Sequence, residues 1–296
     1  MSARIPVILN PAANSTQAAA RENALRALLP APELILTKAP GEATEIAEKL
    51  AREGHEIVVA AGGDGTVNEV LQGLCRANAE RAPEEKHTAL GVLPVGTMNV
   101  FSLELGMPAA NIAECWKMIT SGRYREIDLW LANDQFFVQL AGVGLDAEII
   151  QETPWERKRK FGPLSYVMSA VQVLMREPPL LTVEISGKPA MHGSVVLIGA
   201  GKHYGGPVPV FSKANNQDGL LDVIIFRGLS GWEFAQMIRA ILERGYEASE
   251  DIDYLQVREF TVTAKPEAPF EVDGELISGT TPVSFRAAPF KMQVAV

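Results

Sequence analysis

The stretch Glu56-Ile-Val-Val-Ala-Ala-Gly62-Gly63-Asp64-Gly65-Thr66-Val67-Asn68-Glu69 sets glycines and a carboxylate where an apolar run gives way to helical periodicity. A strand-to-helix turn of that composition suits a phosphate. Glycines without Cβ let phosphate oxygens reach backbone N–H groups, and the helix N-terminus that follows adds partial positive charge. Thr66 reads as the N-cap, with Glu69 three positions on completing a capping box. Two further stretches combine carboxylates with an Asp-Gly pair: Asn215-Asn-Gln-Asp218-Gly219-Leu220-Leu221 and Phe270-Glu-Val-Asp273-Gly274-Glu275. Taken alone, each reads as a hairpin turn between alternating segments. No Gly-x-x-x-x-Gly-Lys-Ser/Thr string is present, so a P-loop is excluded.

The elements that must position these residues fall into two groups. Up to about residue 120, short apolar runs alternate with helical periodicity: strands at 6–9, 33–37, 56–61 and 90–93, helices at 15–29, 42–53, 67–77 and 109–121. That alternation predicts parallel βαβ units and an open, doubly wound α/β sheet. From Tyr124 the segments are mostly β-type: 125–131, 135–140, 181–185, 194–198, 220–226, 259–264 and 270–272. Asn133-Asp134, Ser186-Gly187, Asp218-Gly219 and Asp273-Gly274 punctuate them, and helices are expected at 163–175 and 230–242. The expected organisation is therefore an α/β domain over 1–124 and a β-rich sandwich or barrel over 125–296, with about the last ten residues free to return to the first domain. Functional residues are expected in the cleft between the two.

Bulk composition narrows the function. The 296 residues are 47% hydrophobic and 21% charged, with a net charge of −9 and a pI near 5.1. These values fit a globular protein and argue against a nucleic-acid partner, which needs a basic face. The two cysteines, Cys75 and Cys115, cannot make a disulfide framework or a zinc cluster, which favours a reducing, cytoplasmic setting. The four histidines are scattered without ligand spacing. The apolar part of the N-terminus is too short for a signal peptide, and no run approaches the roughly 18 residues that span a bilayer. Membrane contact, if any, is expected from the surface.

Gly62-Gly-Asp-Gly-Thr66 resembles the signature of the diacylglycerol kinase catalytic-domain superfamily, which includes sphingosine kinases, bacterial lipid kinases and, more distantly, NAD kinases and phosphofructokinases. The resemblance continues in order along almost the whole chain: Asn10-Pro11, Thr37-Lys-Ala-Pro-Gly-Glu-Ala, Gly91-Val-Leu-Pro94-Val-Gly96-Thr97-Met-Asn99-Val-Phe101, Gly142-Val-Gly144-Leu-Asp146-Ala147, Tyr204-Gly205-Gly206, Asp218-Gly219-x-Leu221 and Asp273-Gly274-Glu275. It implies the NAD kinase/phosphofructokinase-like fold for the first domain and ATP-dependent phosphorylation of a lipid hydroxyl. By it, Thr37, Gly62, Gly63, Asp64, Gly65, Thr66, Val67, Asn68 and Thr97 contact ATP, with Asp64 the carboxylate that engages Mg2+. Asp273 becomes the general base, and Glu275 shares the proton or a metal-bound water. Asp218 with main-chain oxygens of Asn215 and Leu220 becomes a second, structural magnesium site.

Two other readings stay open beside the lipid kinase: an NAD kinase-like enzyme and a non-catalytic nucleotide- or lipid-binding regulator. Thr66-Val-Asn68-Glu69-Val resembles the lipid branch, and the paired Asn-Glu motif of NAD kinases is not found downstream. Gly142-x-Gly144-x-x-Ala147 imitates a dinucleotide fingerprint but lacks an acidic residue ending a following strand, so it reads as a turn at the cleft. The basic run Arg157-Lys158-Arg159-Lys160 precedes an apolar helical pattern. It reads as a solvated loop before a core helix, or as a peripheral patch for anionic lipid headgroups at the inner membrane surface. The acceptor lipid and homodimerisation are left open.

Overall fold

The computed structural model describes residues 4–11, 18–82, 84–152, 178–227 and 252–296. The basic run at 157–160 and the helices expected at 163–175 and 230–242 lie outside these residues. The chain forms two compact units, one of Met1–Leu129, Gly205–Pro207 and Ala288–Val296, the other of Trp130–Tyr204 and Val208–Ala287.

The first unit is built on β1 (Pro6–Leu9), α1 (Ala18–Arg26), β2 (Glu33–Leu36), α2 (Glu42–Arg52), β3 (Ile57–Gly62), α3 (Asp64–Ala79), β4 (Ala89–Pro94), α4 (Val100–Glu104), α5 (Ile112–Thr120) and β5 (Tyr124–Ile127). Strands β1, β3 and β4 are buried along their whole length, as their unbroken apolar runs require of a covered parallel sheet. β1 pairs in parallel with both β2 and β3, and β4 pairs in parallel with β3. The order β2-β1-β3-β4 means the chain moves outward from β1, then crosses back over it. That reversal creates a switch point at the carboxyl ends of β1 and β3, the place where open α/β sheets bind ligands. Helix α2 turns Ala43, Ala47, Leu50 and Ala51 inward, a helical stripe that seats it, and its Thr44 hydroxyl donates to the Glu69 carbonyl of α3 at 2.9 Å.

Helix α3 begins at Asp64 with Gly63 as N-cap and no side-chain cap bond, so Thr66 is not the cap. Thr66 sits inside the first turn and is buried. The strand instead runs to Gly62, and an extended Gly63 (φ −89, ψ −172) leads straight into the helix.

The second unit holds β6 (Trp130–Ala132), β7 (Gln135–Phe137), β8 (Leu140–Gly144), α6 (Leu145–Gln151), β9 (Leu180–Glu184), β10 (Met191–Gly193), β11 (Val195–Gly199), β12 (Leu221–Phe226), β13 (Ile252–Val257), β14 (Glu259–Lys265), β15 (Phe270–Val272), β16 (Glu275–Leu276) and β17 (Val283–Ala287). They form two antiparallel sheets, β10-β9-β14-β17-β6-β7 and β13-β12-β11-β8-β15-β16. Period-2 alternation assigns the faces. Val196, Ile198, Val223 and Phe270 of one sheet meet Val183, Val262 and Phe285 of the other in one core, with Phe260 stacked on Phe285 at 4.9 Å. This is the expected sandwich. The opposite face of the second sheet, with Val195, Leu197, Ile224 and Phe226, carries its own apolar cluster with Leu145 and Phe211.

The final strand, β18 (Met292–Ala295), returns to the first unit, antiparallel to β5 and beside β4. Two segment readings change. The strand expected over 125–131 is two strands in different sheets, because the buried Asp128, ion-paired to Lys291 at 2.8 Å, interrupts it. Gly142-x-Gly144 is not a turn: it lies within β8, paired antiparallel to β11 and β15, with positive φ only at Gly144. Among the described residues no helix is long and apolar enough to cross a membrane.

Candidate active site

The sequence-predicted nucleotide residues gather at the carboxyl edge of the first sheet. Thr37 follows β2, and its N–H donates to the Leu9 carbonyl at 3.0 Å; it is buried. Gly62 ends β3, and its carbonyl accepts from both Val95 and Gly96 N–H at 3.1 Å. The loop after β4 is thereby laid against the turn after β3. A Cβ on Gly96 would stand 2.2 Å from the Gly63 Cα, and one on Gly62 2.3 Å from the Thr66 Oγ1. None of Gly62, Gly63 and Gly65 has positive φ. The glycines serve close approach, not a left-handed turn.

Asn99 fixes that loop. It sits in the left-handed region (φ 51, ψ 47), which asparagine tolerates better than most residues. Its Oδ1 accepts the Gly96 N–H at 2.9 Å and its Nδ2 donates to the Gly96 carbonyl at 3.1 Å. Asp64 ties the same loop from the other side, its Oδ1 accepting the Phe101 N–H at 3.2 Å. Gly63, Asp64 and Gly65 are half-buried and Thr97 is exposed. Thr66, Val67 and Asn68 are buried, so this part of the predicted site presents chiefly backbone and the Asp64 carboxylate. Asn99→Ala removes both loop bonds and leaves Cβ strain at φ > 0. It is expected to lower stability by about 1–3 kcal/mol in a melt and to raise the KM for the nucleotide more than it changes kcat.

In the second unit, Asp273 and Gly274 form the two-residue turn between β15 and β16, with Val272 paired to Glu275 across it. Both turn residues have positive φ, 50 and 83, the requirement that Asp-Gly meets in a type I′ hairpin. Asp273 is 4% exposed, and both of its carboxylate oxygens accept hydrogen bonds. Its Oδ1 accepts the N–H groups of Gln139 (3.0 Å) and Leu140 (3.1 Å), and its Oδ2 that of Val138 (3.2 Å). Its own N–H donates to the Leu140 carbonyl at 2.9 Å. Three successive amides thus hold one carboxylate as an anion nest does. Glu275, two residues on, is exposed.

Asn215, Asp218 and Leu220 form a separate tight turn. The Asn215 carbonyl accepts the Asp218 N–H at 3.3 Å, and Asp218 Oδ1 accepts the Leu220 N–H at 3.0 Å. A carboxylate with main-chain oxygens is an all-oxygen donor set, and that chemistry fits magnesium. Among the described residues no group of three or more His, Cys, Asp or Glu forms a metal cluster.

Three neighbours of these sites were not singled out from sequence: Asn99, Asp222 and Glu271. Asn99 announced itself only as part of a motif; its role comes from a backbone angle. Asp222 and Glu271 lie in strands where alternation directs them away from the sandwich core, which in sequence reads as solvent. Both are completely buried, because that face carries its own apolar cluster. Burial pushes the Asp222 carboxyl up, opposed by hydrogen bonds from the Tyr254 hydroxyl and the Gln256 amide.

The family model for the diacylglycerol kinase catalytic domain matches residues 4–132, and that for the YegS C-terminal NAD kinase beta sandwich-like domain matches 140–296. The chain is 29% identical over 242 residues to a diacylglycerol kinase of Bacillus subtilis, covering 81% of this chain and 77% of that protein. It is 34% identical over 254 residues to a Cronobacter sakazakii protein named "Probable lipid kinase YegS-like", covering 83% and 80%. A diacylglycerol kinase structure from Bacillus anthracis superposes with TM-score 0.72 at 23% identity, covering 99% of this chain and 96% of that one. An NAD kinase from Archaeoglobus fulgidus, in complex with ATP, superposes with TM-score 0.52 at 14% identity, covering 99% and 94%. These two structural likenesses bear on the fold alone.

Proposed function

The chain belongs to the diacylglycerol kinase catalytic-domain family, in its YegS-type lipid kinase branch, and on that premise we propose that it transfers the γ-phosphoryl group of ATP to a lipid hydroxyl with Asp273 as general base. That it is a lipid kinase follows from the family. The donor, the base and the metal are inferred from its own residues.

The observation that carries the reading is the contact of the Gly62-Gly63 turn with Gly96 at the switch point, which leaves backbone rather than side chain for a triphosphate. Gly62–Asn68 and Thr97, with Thr37, bind and orient the phosphates. Asp64 would engage a nucleotide-bound magnesium, and Asn215, Asp218 and Leu220 would hold a structural one; the ions would supply positive charge against the phosphates and rigidity to the turn. Asp273, oriented by the Val138, Gln139 and Leu140 amides, accepts the proton of the attacking hydroxyl at its carboxylate oxygen as the O–P bond forms and ADP leaves. Glu275, at the exposed end of the hairpin, shares that proton.

The acceptor is a lipid alcohol: a diacylglycerol, a phosphatidylglycerol, a sphingoid base or an isoprenoid alcohol. With Mg2+ and ATP, mixed micelles of these four lipids give an organic-phase phosphorylated product for at least one, and EDTA stops it. Phosphorylation of NAD with none of the lipids would replace this reading with the NAD kinase one; nucleotide binding with no transfer to either would replace it with the regulator. The enzyme works from the cytoplasmic face, where Arg157, Lys158, Arg159 and Lys160 attract anionic headgroups. Reversing Arg157, Lys158 and Arg159 to Glu is expected to lower activity about tenfold on anionic vesicles and to spare a short-chain soluble substrate; equal loss on both would remove the membrane role.

A further inference from the structure

We propose that Glu271 is a positioning residue for the same reaction: its buried carboxylate locks the Asp273-Gly274 turn in the conformation from which Asp273 acts. This rests on the reading of Asp273 as the base. Glu271 lies in the middle of β15, between Phe270 and Val272, which enter the sandwich core. Its side chain therefore leaves from the other face, and its register partner on β8 is Gly142, itself opposite Leu197 of β11. Phe211, Leu197 and Leu145 make that face apolar, and Glu271 is 0% exposed.

A carboxylate in such surroundings is retained only with compensating donors. One of them is specific to the turn. Glu271 Oε2 accepts the Gly274 N–H at 2.8 Å, and the Tyr204 hydroxyl lies 3.5 Å from Oε1, its ring edge-on to Phe211 at 5.9 Å. Asp273 is thus gripped from two directions. Its side chain is held by three amides of residues 138–140, and the peptide that follows it is held by Glu271. Asp-Gly already favours the turn type, so the turn would form without a third restraint. What the buried carboxylate adds is a fixed setting for Gly274, and through it for the backbone angles of Asp273, in a group whose position decides the rate. A reacting group displaced by about 1 Å can cost about 100-fold.

Steady-state kinetics and melts of Glu271→Leu, Glu271→Gln and Asp273→Asn test the idea. Glu271→Leu keeps the volume and loses the Gly274 bond. It is expected to lower kcat by about 10- to 100-fold with the KM for ATP unchanged, and to lose no more than about 1–3 kcal/mol in a melt, since the Gly274 N–H is left without its acceptor. Glu271→Gln still offers an oxygen to the Gly274 N–H and is expected to stay within about threefold of wild type. Wild-type kcat in the leucine variant overturns the proposal. So does a leucine variant that fails to fold, or whose activity falls only with its folded fraction, which assigns Glu271 to stability. A glutamine variant as dead as Asp273→Asn also overturns it, by making the charge itself essential. If Asp273→Asn is inactive while Glu271→Leu is normal, only this inference fails; if Asp273→Asn is active, the reading beneath it fails.

Discussion

Gly96→Ala is expected to weaken ATP binding by about 5- to 150-fold and to lower the melting temperature, whereas Gly63→Ala does so mildly. The asymmetry comes from geometry. The new methyl at position 96 would meet the Gly63 Cα at 2.2 Å, the Gly63 N at 2.8 Å and the Asn99 Oδ1 at 2.8 Å. Two of those three are backbone atoms, which have no rotamer to escape into. The Gly96 N–H is bound to both the Gly62 carbonyl and Asn99, so the loop cannot withdraw without losing both bonds. Overpacking of this kind costs about 1–3 kcal/mol, and a lost buried bond about 1–3 more. At 1.4 kcal/mol per tenfold, half of that, about 1–3 kcal/mol, reaching the phosphate site weakens ATP by about 5- to 150-fold. A methyl on Gly63 meets the Gly96 Cα at 3.4 Å, close to ordinary contact, so it is tolerated. Calorimetric titration with ATP and thermal melts read both variants. Wild-type ATP affinity in Gly96→Ala would show that the contact does not build the nucleotide site.

The second large effect is expected at Asp273. Asparagine keeps the shape and one acceptor oxygen but cannot take a proton from an alcohol. Loss of a general base lowers kcat by about 10²- to 10⁴-fold. One of the three amides at residues 138–140 then faces an amide NH2 in place of an oxygen, which costs about 1–3 kcal/mol of stability. The KM for ATP is expected to stay close to wild type, because the residues proposed to bind the nucleotide lie in the other compact unit. A drop in kcat without a matching rise in that KM separates lost chemistry from lost binding. If kcat stayed within about threefold of wild type, Asp273 would be an anchor of the β7–β8 segment and nothing more.

The fold was largely legible because its signals are periodic. Unbroken apolar runs marked β1, β3 and β4, and β-type composition between turn signals marked β11, β12 and β14. Dipeptide turn chemistry located Asn133-Asp134 and Asp273-Gly274, where φ is positive. What sequence could not give depends on contacts distant along the chain. Thr66 has the type and spacing of a cap, but the approach of Gly63 to Gly96 moved the helix start to Asp64. The break at Asp128 depends on Lys291, 163 residues away in sequence, taking its charge. Glu271 and Asp222 look solvent-facing in a strand pattern, and only the second apolar cluster outside the sandwich shows otherwise. The candidate residues were legible as motifs; the partners of Asp64, Asn99 and Asp273 were not, since nothing in sequence says which amides a carboxylate will meet.

The central claim is most directly tested by following the γ-phosphate itself. Wild-type protein is incubated with γ-labelled ATP, Mg2+, NAD and mixed micelles of the four lipid alcohols, and the organic and aqueous phases are counted against an Asp273→Asn control. The predicted result is label in an organic-phase lipid phosphate with wild type, and at least about 100-fold less with the variant. Label confined to NADP or to inorganic phosphate, or equal label in the lipid from both proteins, would contradict it.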